Sequence, residues 1–262
     1  MLVTIMKSDI ELAIKDVLNL QEFVPNTHVN KVMSQLVECV IKTEDLNLEA
    51  IEPIMYSRVR NISAKAETEM EKFWAQLIIK SSDPNATLQT FPYRDNYREL
   101  TKRELFLTNK SGLTLTAKHK VLMIGSGPLP LSAYEMHHQS GASIDHVDPS
   151  QEAINLCQQL NTSLGIHGSY FEAYGQNVAL HKTYDLILIA ALAGETAGDK
   201  QKILENVLPY LSDEGRIVVR SARGSRRLLY PAIASKDLVN VQLLEEYHPT
   251  DYIINSVFVY GK

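Results

Sequence analysis

Apolar positions recur at helical spacing through residues 1–111 of this 262-residue chain. Apolar side chains three and four residues apart mark the inner face of an amphipathic helix. The pattern predicts helices over Ser8–Leu20, His28–Lys42, Leu46–Arg60, Ala64–Ser81, Asn85–Thr90 and Tyr97–Leu107. Pro53 is expected to start or kink one of them, because proline fits the first turn of a helix and not its interior.

After residue 112 the pattern changes to short apolar runs that alternate with helical stretches. The runs predict strands over Val121–Ile124, Ala142–Val147, Ser169–Ala173, Tyr184–Ala190, Arg216–Arg220, Val239–Glu245 and Ile253–Val259. The helical stretches are Leu131–Gln139, Gln151–Leu164, Asp199–Leu211 and Ser225–Ala234. Alternation of this kind predicts an α/β fold whose parallel sheet has helices on both faces. The last two strands lack a helix between them, which predicts a terminal hairpin as in methyltransferase-like Rossmann domains.

The glycines support a division of the chain. All 12 of them lie at position 112 or later. Glycine permits tight turns and close approach of the backbone to a ligand. We therefore predict an all-helical N-terminal domain over residues 1–112 and a Rossmann-like, ligand-binding domain over residues 113–262.

Composition excludes several classes of protein. The net charge is −5 and neither half is basic, which argues against a nucleic-acid partner. The longest apolar run, Leu186–Ala193, is far shorter than the roughly 20 residues of a membrane span, and no signal peptide is visible. Cys39 and Cys157 are isolated, as in reduced cytoplasmic proteins, and the histidines show no metal-ligand spacing. We expect a cytoplasmic protein with no metal and no membrane partner; its oligomeric state stays open, a homodimer included.

The clearest candidate for ligand binding is the turn after the first predicted strand. Gly125, Ser126, Gly127 and Pro128 connect that strand to a helix, where glycines let the backbone approach a ligand. Leu129 and Pro130 follow, so the third glycine of a dinucleotide fingerprint is absent. This weakens NAD or FAD as the ligand and favours S-adenosylmethionine (SAM). An ordinary strand-to-helix turn is the competing interpretation.

Two further candidates follow later strands of the predicted sheet. Asp148 ends the second strand about 20 residues past the glycines, where a carboxylate can accept hydrogen bonds from ribose hydroxyls. Asp145 is a weaker candidate for that role, and Asp148 could instead cap the next helix. After the fourth strand, small residues from Ala190 through Leu192 to Gly194 could let a ligand pack closely, or could be ordinary core.

Charged residues supply two more candidates. Arg220, Arg223, Arg226 and Arg227 follow the fifth predicted strand and could bind substrate carboxylates, although a solvated basic loop is equally consistent. In the helical part, the charged cluster consists of Glu67, Glu69 and Glu71. Glutamates on one helix usually form a solvated face, and the residues alone do not choose among these interpretations.

Taken together, these residues resemble the nicotianamine synthase family. The resemblance rests on Ile124-Gly-Ser-Gly-Pro-Leu-Pro-Leu131, Ala66-Glu67 with Glu71, Phe91-Pro-Tyr-x-x-Asn-Tyr97, Ala190-Ala-Leu-x-Gly194 and Arg220-Ser-Ala-x-Gly224-x-Arg226-x-x-Leu-Tyr230-Pro231. These motifs run in order over residues 66–231. The two prolines make the first motif far more specific than a lone Gly-x-Gly.

The resemblance implies a helical domain over a SAM-binding Rossmann-like domain, and a reaction other than methyl transfer. Family enzymes transfer the 3-amino-3-carboxypropyl (aminobutyrate) group of SAM to an amine and release methylthioadenosine. The family's catalytic glutamate precedes its active-site tyrosine by the spacing that separates Glu71 from Tyr97. The resemblance therefore implies Glu71 as the base and Tyr97 as its partner, with Tyr93 in the same cavity. The expected SAM-binding residues are Gly125, Ser126, Gly127, Pro128, Leu129, Pro130, Asp148, Ala190 and Leu192, and Arg220 and Arg226 are expected to hold substrate carboxylates.

The acceptor amine is less well determined. Short bacterial relatives add one aminobutyrate unit to histidine on the way to opine-type metallophores, whereas plant and archaeal relatives make nicotianamine. The short chain favours histidine, while the arginine and Phe-Pro-Tyr motifs are close to the plant form. An ordinary SAM-dependent methyltransferase and a non-catalytic ligand-binding protein also stay open.

Overall fold

The computed structural model describes residues 2–43 and 53–262. Within these ranges the helical part consists of α1 (Leu2–Leu18), α2 (Thr27–Lys42), α3 (Pro53–Ile79), α4 (Pro84–Gln89) and α5 (Arg94–Lys110). Side chains cap two of them: Asn26 accepts hydrogen bonds at the start of α2, and Asp83 does so at the start of α4. The described part of the predicted helical half thus consists of helices joined by loops.

Helix α3 differs from its prediction. The sequence predicted an interruption between Arg60 and Ala64, but α3 is one continuous helix of 27 residues. That prediction was wrong because neither proline nor glycine interrupts residues 54–79, and Val59, Ala66, Ala75 and Ile78 carry a buried stripe across the junction. The first part of the predicted helix Leu46–Arg60, before Pro53, lies outside the described residues.

The second half forms a mixed sheet with helices between its strands. The strands are β1 (Lys120–Ile124), β2 (Ser143–Asp148), β3 (Tyr170–Glu172), β4 (Tyr184–Ile189), β5 (Leu211–Ser221), β6 (Gln242–Tyr247) and β7 (Ser256–Gly261). The connecting helices are α6 (Leu131–Ser140), α7 (Gln151–Ser163) and α8 (Ala197–Val207). Strand order is β3-β2-β1-β4-β5-β7-β6. β7 runs antiparallel between β5 and β6, so the predicted fold class and terminal hairpin are confirmed.

One predicted helix is wrong. Ser225–Ala234 forms only a short 3-10 turn, Gly224–Leu228, followed by irregular chain. Pro231 lacks the N–H that would continue a helix, and Ser225 donates its hydroxyl to the carbonyl of Val40 in α2. Long-range hydrogen bonds have here replaced those of a helix.

Hydrophobic clusters cover both faces of the sheet and join it to the helices. Leu122 and Ile124 of β1 point to one face, Val121 and Met123 to the other. A third cluster packs α1, α2 and α3 against the region around Leu228, and a fourth packs α3 and α4 against α6 and α7. The cores therefore cross residue 112, and a division into two folding domains there stays a prediction.

Candidate active site

A cavity of about 670 Å³ lies between the helices and the carboxyl ends of the parallel strands. Ligands of open α/β sheets bind at this edge. Nearly all of the predicted site residues line it: Glu71, Tyr93, Tyr97, Gly125, Ser126, Gly127, Pro128, Leu129, Pro130, Asp148, Ala190, Leu192 and Arg220. Tertiary structure thus brings together segments from both halves of the chain.

The glycine turn places backbone N–H groups and a carboxylate side by side. Gly127 has a φ of 65°, a left-handed conformation that favours glycine. Its N–H donates to Oδ2 of Asp148 at 2.9 Å. A Cβ on Gly127 would lie 2.7 Å from Oε2 of Glu71. Glycine here lets the turn approach the α3 carboxylate closely, so Glu71 and Asp148 share one end of the cavity.

Asp148 is the β2 carboxylate that faces the cavity. Its Oδ1 accepts the N–H of Ser150 at 3.0 Å. Burial raises the pKa of Asp148, while the hydrogen bonds from the N–H groups of Ser150 and Gly127 lower it in part. Asp145, the weaker candidate, is absent from the cavity lining among the described residues. It accepts a hydrogen bond from the hydroxyl of Tyr184 at 2.8 Å and forms an ion pair with Lys182 at 2.7 Å. Asp145 therefore connects β2 to residues in and just before β4.

Two carboxyl–tyrosine pairs form the polar centre of the cavity. The hydroxyl of Tyr97 donates to Oε1 of Glu71 at 3.2 Å, and that of Tyr230 donates to Oε1 of Glu67 at 2.8 Å. Glu67 and Glu71 are one helical turn apart on α3, so both face inward. Glu69 points away, pairs with Lys72 at 3.1 Å and is partly exposed.

Burial controls the protonation of these groups. Burial raises the pKa of Glu71 well above its usual value, and the neighbouring Glu67 adds to the rise. Burial also raises the pKa of Glu67, opposed by the hydrogen bond from Tyr230. The pKa values of Tyr97 and Tyr230 are raised well above the usual range, again by burial first, so both stay neutral donors. A carboxyl group with a raised pKa suits proton transfer near neutral pH.

Arg220 lines the cavity but already has a carboxylate partner. Its Nε donates to Oε1 of Glu104 at 2.6 Å, and its Nη2 donates to Oε2 of Glu104 at 3.0 Å. Nη2 also donates to the hydroxyl of Ser132 at 2.7 Å. This bidentate ion pair is buried. Arg220 therefore lines the cavity with its guanidinium already held by Glu104, and its binding of a substrate carboxylate stays a prediction.

None of the other three arginines of the sequence cluster is among the described residues that line the cavity. Arg226 is absent from the cavity lining among the described residues, although the sequence predicted that it binds substrate. Its guanidinium donates to the carbonyls of Ile253 at 3.1 Å and Asp251 at 2.7 Å. Those bonds join the turn after β5 to the segment before β7. Arg223 and Arg227 are exposed.

A buried lysine supports the loop after β4. Lys200 of α8 is 0% exposed, and its ammonium donates to the carbonyls of Ala190, Ala191 and Ala193 at 2.9, 3.1 and 2.9 Å. Burial lowers the pKa of Lys200 to about 7, with a contribution from Arg220, while three carbonyl acceptors favour the charged form. The loop also meets the glycine turn, because a Cβ on Gly125 would lie 3.1 Å from that of Ala193.

The sequence offered a signal for residues that the predictions missed. Lys200 falls on the apolar stripe of α8 with Ile203, Leu204 and Val207, and Glu104 falls on the buried stripe of α5. A charge on a buried stripe is rare unless it is paired. Tyr230 belonged to a family motif but carried no assigned role, and nothing in the local pattern marked its contact with Glu67.

The described residues show neither a metal-binding cluster nor a membrane-spanning helix. They contain no group of three or more histidine, cysteine, aspartate or glutamate side chains arranged to hold a metal ion. None of the described helices is both long and apolar enough to cross a membrane.

Sequence similarity assigns the family. The model of the family "Nicotianamine synthase protein" matches residues 4–262. This chain belongs to the nicotianamine synthase family. Nicotianamine synthase 9 of Hordeum vulgare is 30% identical over 249 residues, covering 91% of this chain and 73% of the relative. Nicotianamine synthase of Solanum lycopersicum is 28% identical over 256 residues, covering 93% and 79%. The family prediction is confirmed, and with it an enzyme of the SAM-dependent, nicotianamine synthase type.

Solved structures agree with the fold. MtNAS in complex with MTA and tNA aligns with a TM-score of 0.81 at 20% identity over 97% of both chains. A mutant of MtNAS in complex with S-adenosylmethionine aligns with a TM-score of 0.78, also at 20% identity and 97% coverage of both. A SAM-dependent methyltransferase from Clostridium acetobutylicum aligns at 0.50 and 10% identity over 66% of this chain and 93% of that one. The methyltransferase-like Rossmann fold is thereby confirmed.

Proposed function

We propose that the enzyme transfers the aminobutyrate group of SAM to the amine of an amino acid, most readily histidine, and releases methylthioadenosine. The observation that carries the proposal is the placement of Glu71, with Tyr97, against the glycine turn of the Rossmann-like half. The transferred group and the base would meet there. Relatives named nicotianamine synthase and a SAM-bound member of the fold support the same chemistry.

The cavity residues suit a cationic co-substrate. Gly125, Gly127 and Asp148 would hold the nucleoside, with Asp148 accepting hydrogen bonds from ribose hydroxyls. The loop fixed by Lys200 would close over it. Glu67, Glu71 and Asp148 give this part of the cavity an acidic character that favours both a sulfonium and an amine.

The bond changes follow from that arrangement. The acceptor amine attacks the Cγ methylene of the methionine moiety, a C–N bond forms, and the Cγ–S bond breaks. The sulfur keeps the bonding pair and becomes the thioether of methylthioadenosine. The proton lost by the amine passes to the Glu71 carboxylate, which Tyr97 orients. Because the sulfonium has three electrophilic carbons, the position of the amine decides which group is transferred.

The proposal is tested by incubating the purified enzyme with SAM and L-histidine, and with SAM alone. Mass spectrometry should detect methylthioadenosine and histidine carrying one aminobutyrate unit. S-adenosylhomocysteine as the nucleoside product would instead identify a methyltransferase. Tight SAM binding without any product would identify a non-catalytic binding protein.

A second candidate is nicotianamine synthase proper, which condenses SAM-derived aminobutyrate units. The plant relatives at 28–30% identity favour it. Formation of nicotianamine from SAM alone would establish it over the histidine acceptor.

A further inference from the structure

Two buried donors that line the cavity have no hydrogen-bond partner in the described part of the chain. Ser63 is 3% exposed and Asn255 is 7% exposed, yet neither Oγ of Ser63 nor Nδ2 of Asn255 has a partner among the described residues of the protein. Both residues line the cavity described above. Because native proteins seldom bury polar groups unpaired, such atoms indicate groups that a ligand satisfies.

Helix α3 places Ser63 at the end of the cavity away from the glycine turn, and the packing of Ile254 indicates the same end for Asn255. Ser63, Glu67 and Glu71 follow one another at four-residue intervals on one face of α3, and four residues of helix span about 6 Å. Ser63 is thus one turn beyond Glu67 and two turns beyond Glu71. Asn255 follows Ile254, which packs in one cluster with Val59 and Ala66, the α3 neighbours of Ser63.

The chemistry of this end is neutral and partly apolar. Its walls include Phe23, Val29, Met33 and Val37, which belong to the cluster around Ile254. The lysine and arginine side chains that line the described cavity are paired elsewhere: Lys72 with Glu152 at 2.7 Å, and Arg220 with Glu104. Neutral donors among apolar walls suit an uncharged, hydrogen-bond-accepting group better than a second carboxylate.

We propose that Ser63 and Asn255 bind the side chain of the acceptor amino acid, and that this side chain is a neutral hydrogen-bond acceptor of the imidazole type. The inference rests on the proposed function, since it places the attacking amine at Glu71. The side chain then extends along α3 past Glu67, where its unprotonated ring nitrogen accepts the Asn255 amide and its ring N–H donates to the Ser63 hydroxyl oxygen. Both residues determine which acceptor is used and take no part in the bond changes.

The test uses Ser63→Ala and Asn255→Leu, with L-histidine, L-glutamate and L-leucine as acceptors. Loss of one neutral hydrogen bond should raise the KM for L-histidine about two- to tenfold in each variant. The KM for SAM should not change, and the KM for L-leucine should stay the same or fall, because an apolar wall then replaces an unpaired donor. Ser57→Ala is the matched control, because Ser57 lies on the same helix and donates to the carbonyl of Ile54; it should leave every KM unchanged.

Thermal unfolding of the free enzyme separates binding from a structural role. Neither donor has a partner within the described part of the chain, so Ser63→Ala should unfold at the wild-type temperature or slightly above it. A serine that stabilised the fold would give a lower unfolding temperature and the same KM values. Asn255→Leu repeats the kinetic test with a residue from another segment of the chain, so the result does not depend on the folding of one variant.

Each other outcome has a definite meaning. An unchanged KM for L-histidine in both variants, beside normal wild-type turnover, would refute this subsite and leave the proposed function intact. An effect on L-glutamate alone would show that the subsite takes a carboxylate, against the neutral side chain proposed. Absence of methylthioadenosine from the wild type with every acceptor would refute the proposed function and this inference with it.

Discussion

Glu71→Gln isolates proton transfer from binding. Glutamine has the shape of glutamate and can still accept the Tyr97 hydroxyl, but it cannot take the proton of the acceptor amine. Removal of a general base costs about 10²- to 10⁴-fold in rate, which is about 3–5.5 kcal/mol of transition-state stabilisation. We expect kcat to fall by that factor while the dissociation constant for SAM changes less than about threefold.

The pH dependence of the same variant gives a second, independent readout. The native-state pKa of Glu71 lies above its ordinary value of 4.5, so between the two values the folded protein binds more protons than the unfolded chain. The contribution of Glu71 is fully present below pH 4.5 and is lost as pH rises through the raised pKa, with a slope of at most about 1.4 kcal/mol per pH unit. Wild-type kcat/KM should rise with pH through the raised pKa of Glu71 in the free enzyme, because only the carboxylate is a base.

Single-turnover assays that follow methylthioadenosine, calorimetric SAM titration and urea unfolding at several pH values test this reasoning. The unfolding free energy of Glu71→Gln should increase relative to wild type as pH rises. Glu69→Gln is the matched control, since Glu69 lies on the same helix and faces away from the cavity, and it should behave as wild type. A kcat for Glu71→Gln within tenfold of wild type would refute the role of Glu71 as the base.

Three further predictions concern the SAM side of the cavity. Asp148→Asn should raise the SAM dissociation constant about 10- to 100-fold by calorimetry, because ribose hydroxyls lose a charged acceptor; an equal affinity would remove Asp148 from the site. Gly127→Ala should impair both SAM binding and turnover, because the new Cβ would meet Glu71. Gly165→Ala is the control: Gly165 has a similar φ of 73°, but a Cβ there would have no atom within 4 Å, so this change should lower stability only. Lys200→Met should lower the free energy of unfolding in urea by about 1–3 kcal/mol and weaken SAM binding, because buried carbonyls lose their donor. Lys202→Met, at an exposed position of the same helix, is the control. Equal effects of the two substitutions would contradict the role of Lys200.

Local pattern predicted most of the secondary structure and failed where distant contacts replaced local ones. The β1 turn and α7 need only nearby residues, and both lie close to their predicted positions. The predicted helix Ser225–Ala234 failed because Ser225 and Arg226 bond to carbonyls far away in the chain. The last strand was expected from Ile253, yet β7 begins at Ser256, and the intervening connection brings Asn255 to the cavity.

The sequence by itself determined the order of elements, the glycine turn, the position of Asp148 and, through family motifs, the candidates Glu71 and Tyr97. These features depend on the periodicity of apolar residues and on short spacings between motif residues, which can be read directly from the sequence. Only the tertiary structure decided which charges are free and which donors lack a partner. Arg220 is held by Glu104, Tyr230 meets Glu67, and Ser63 and Asn255 keep donors at the cavity that no described residue pairs. Pairing and desolvation arise from contacts between segments far apart in the chain, and no local pattern contains them.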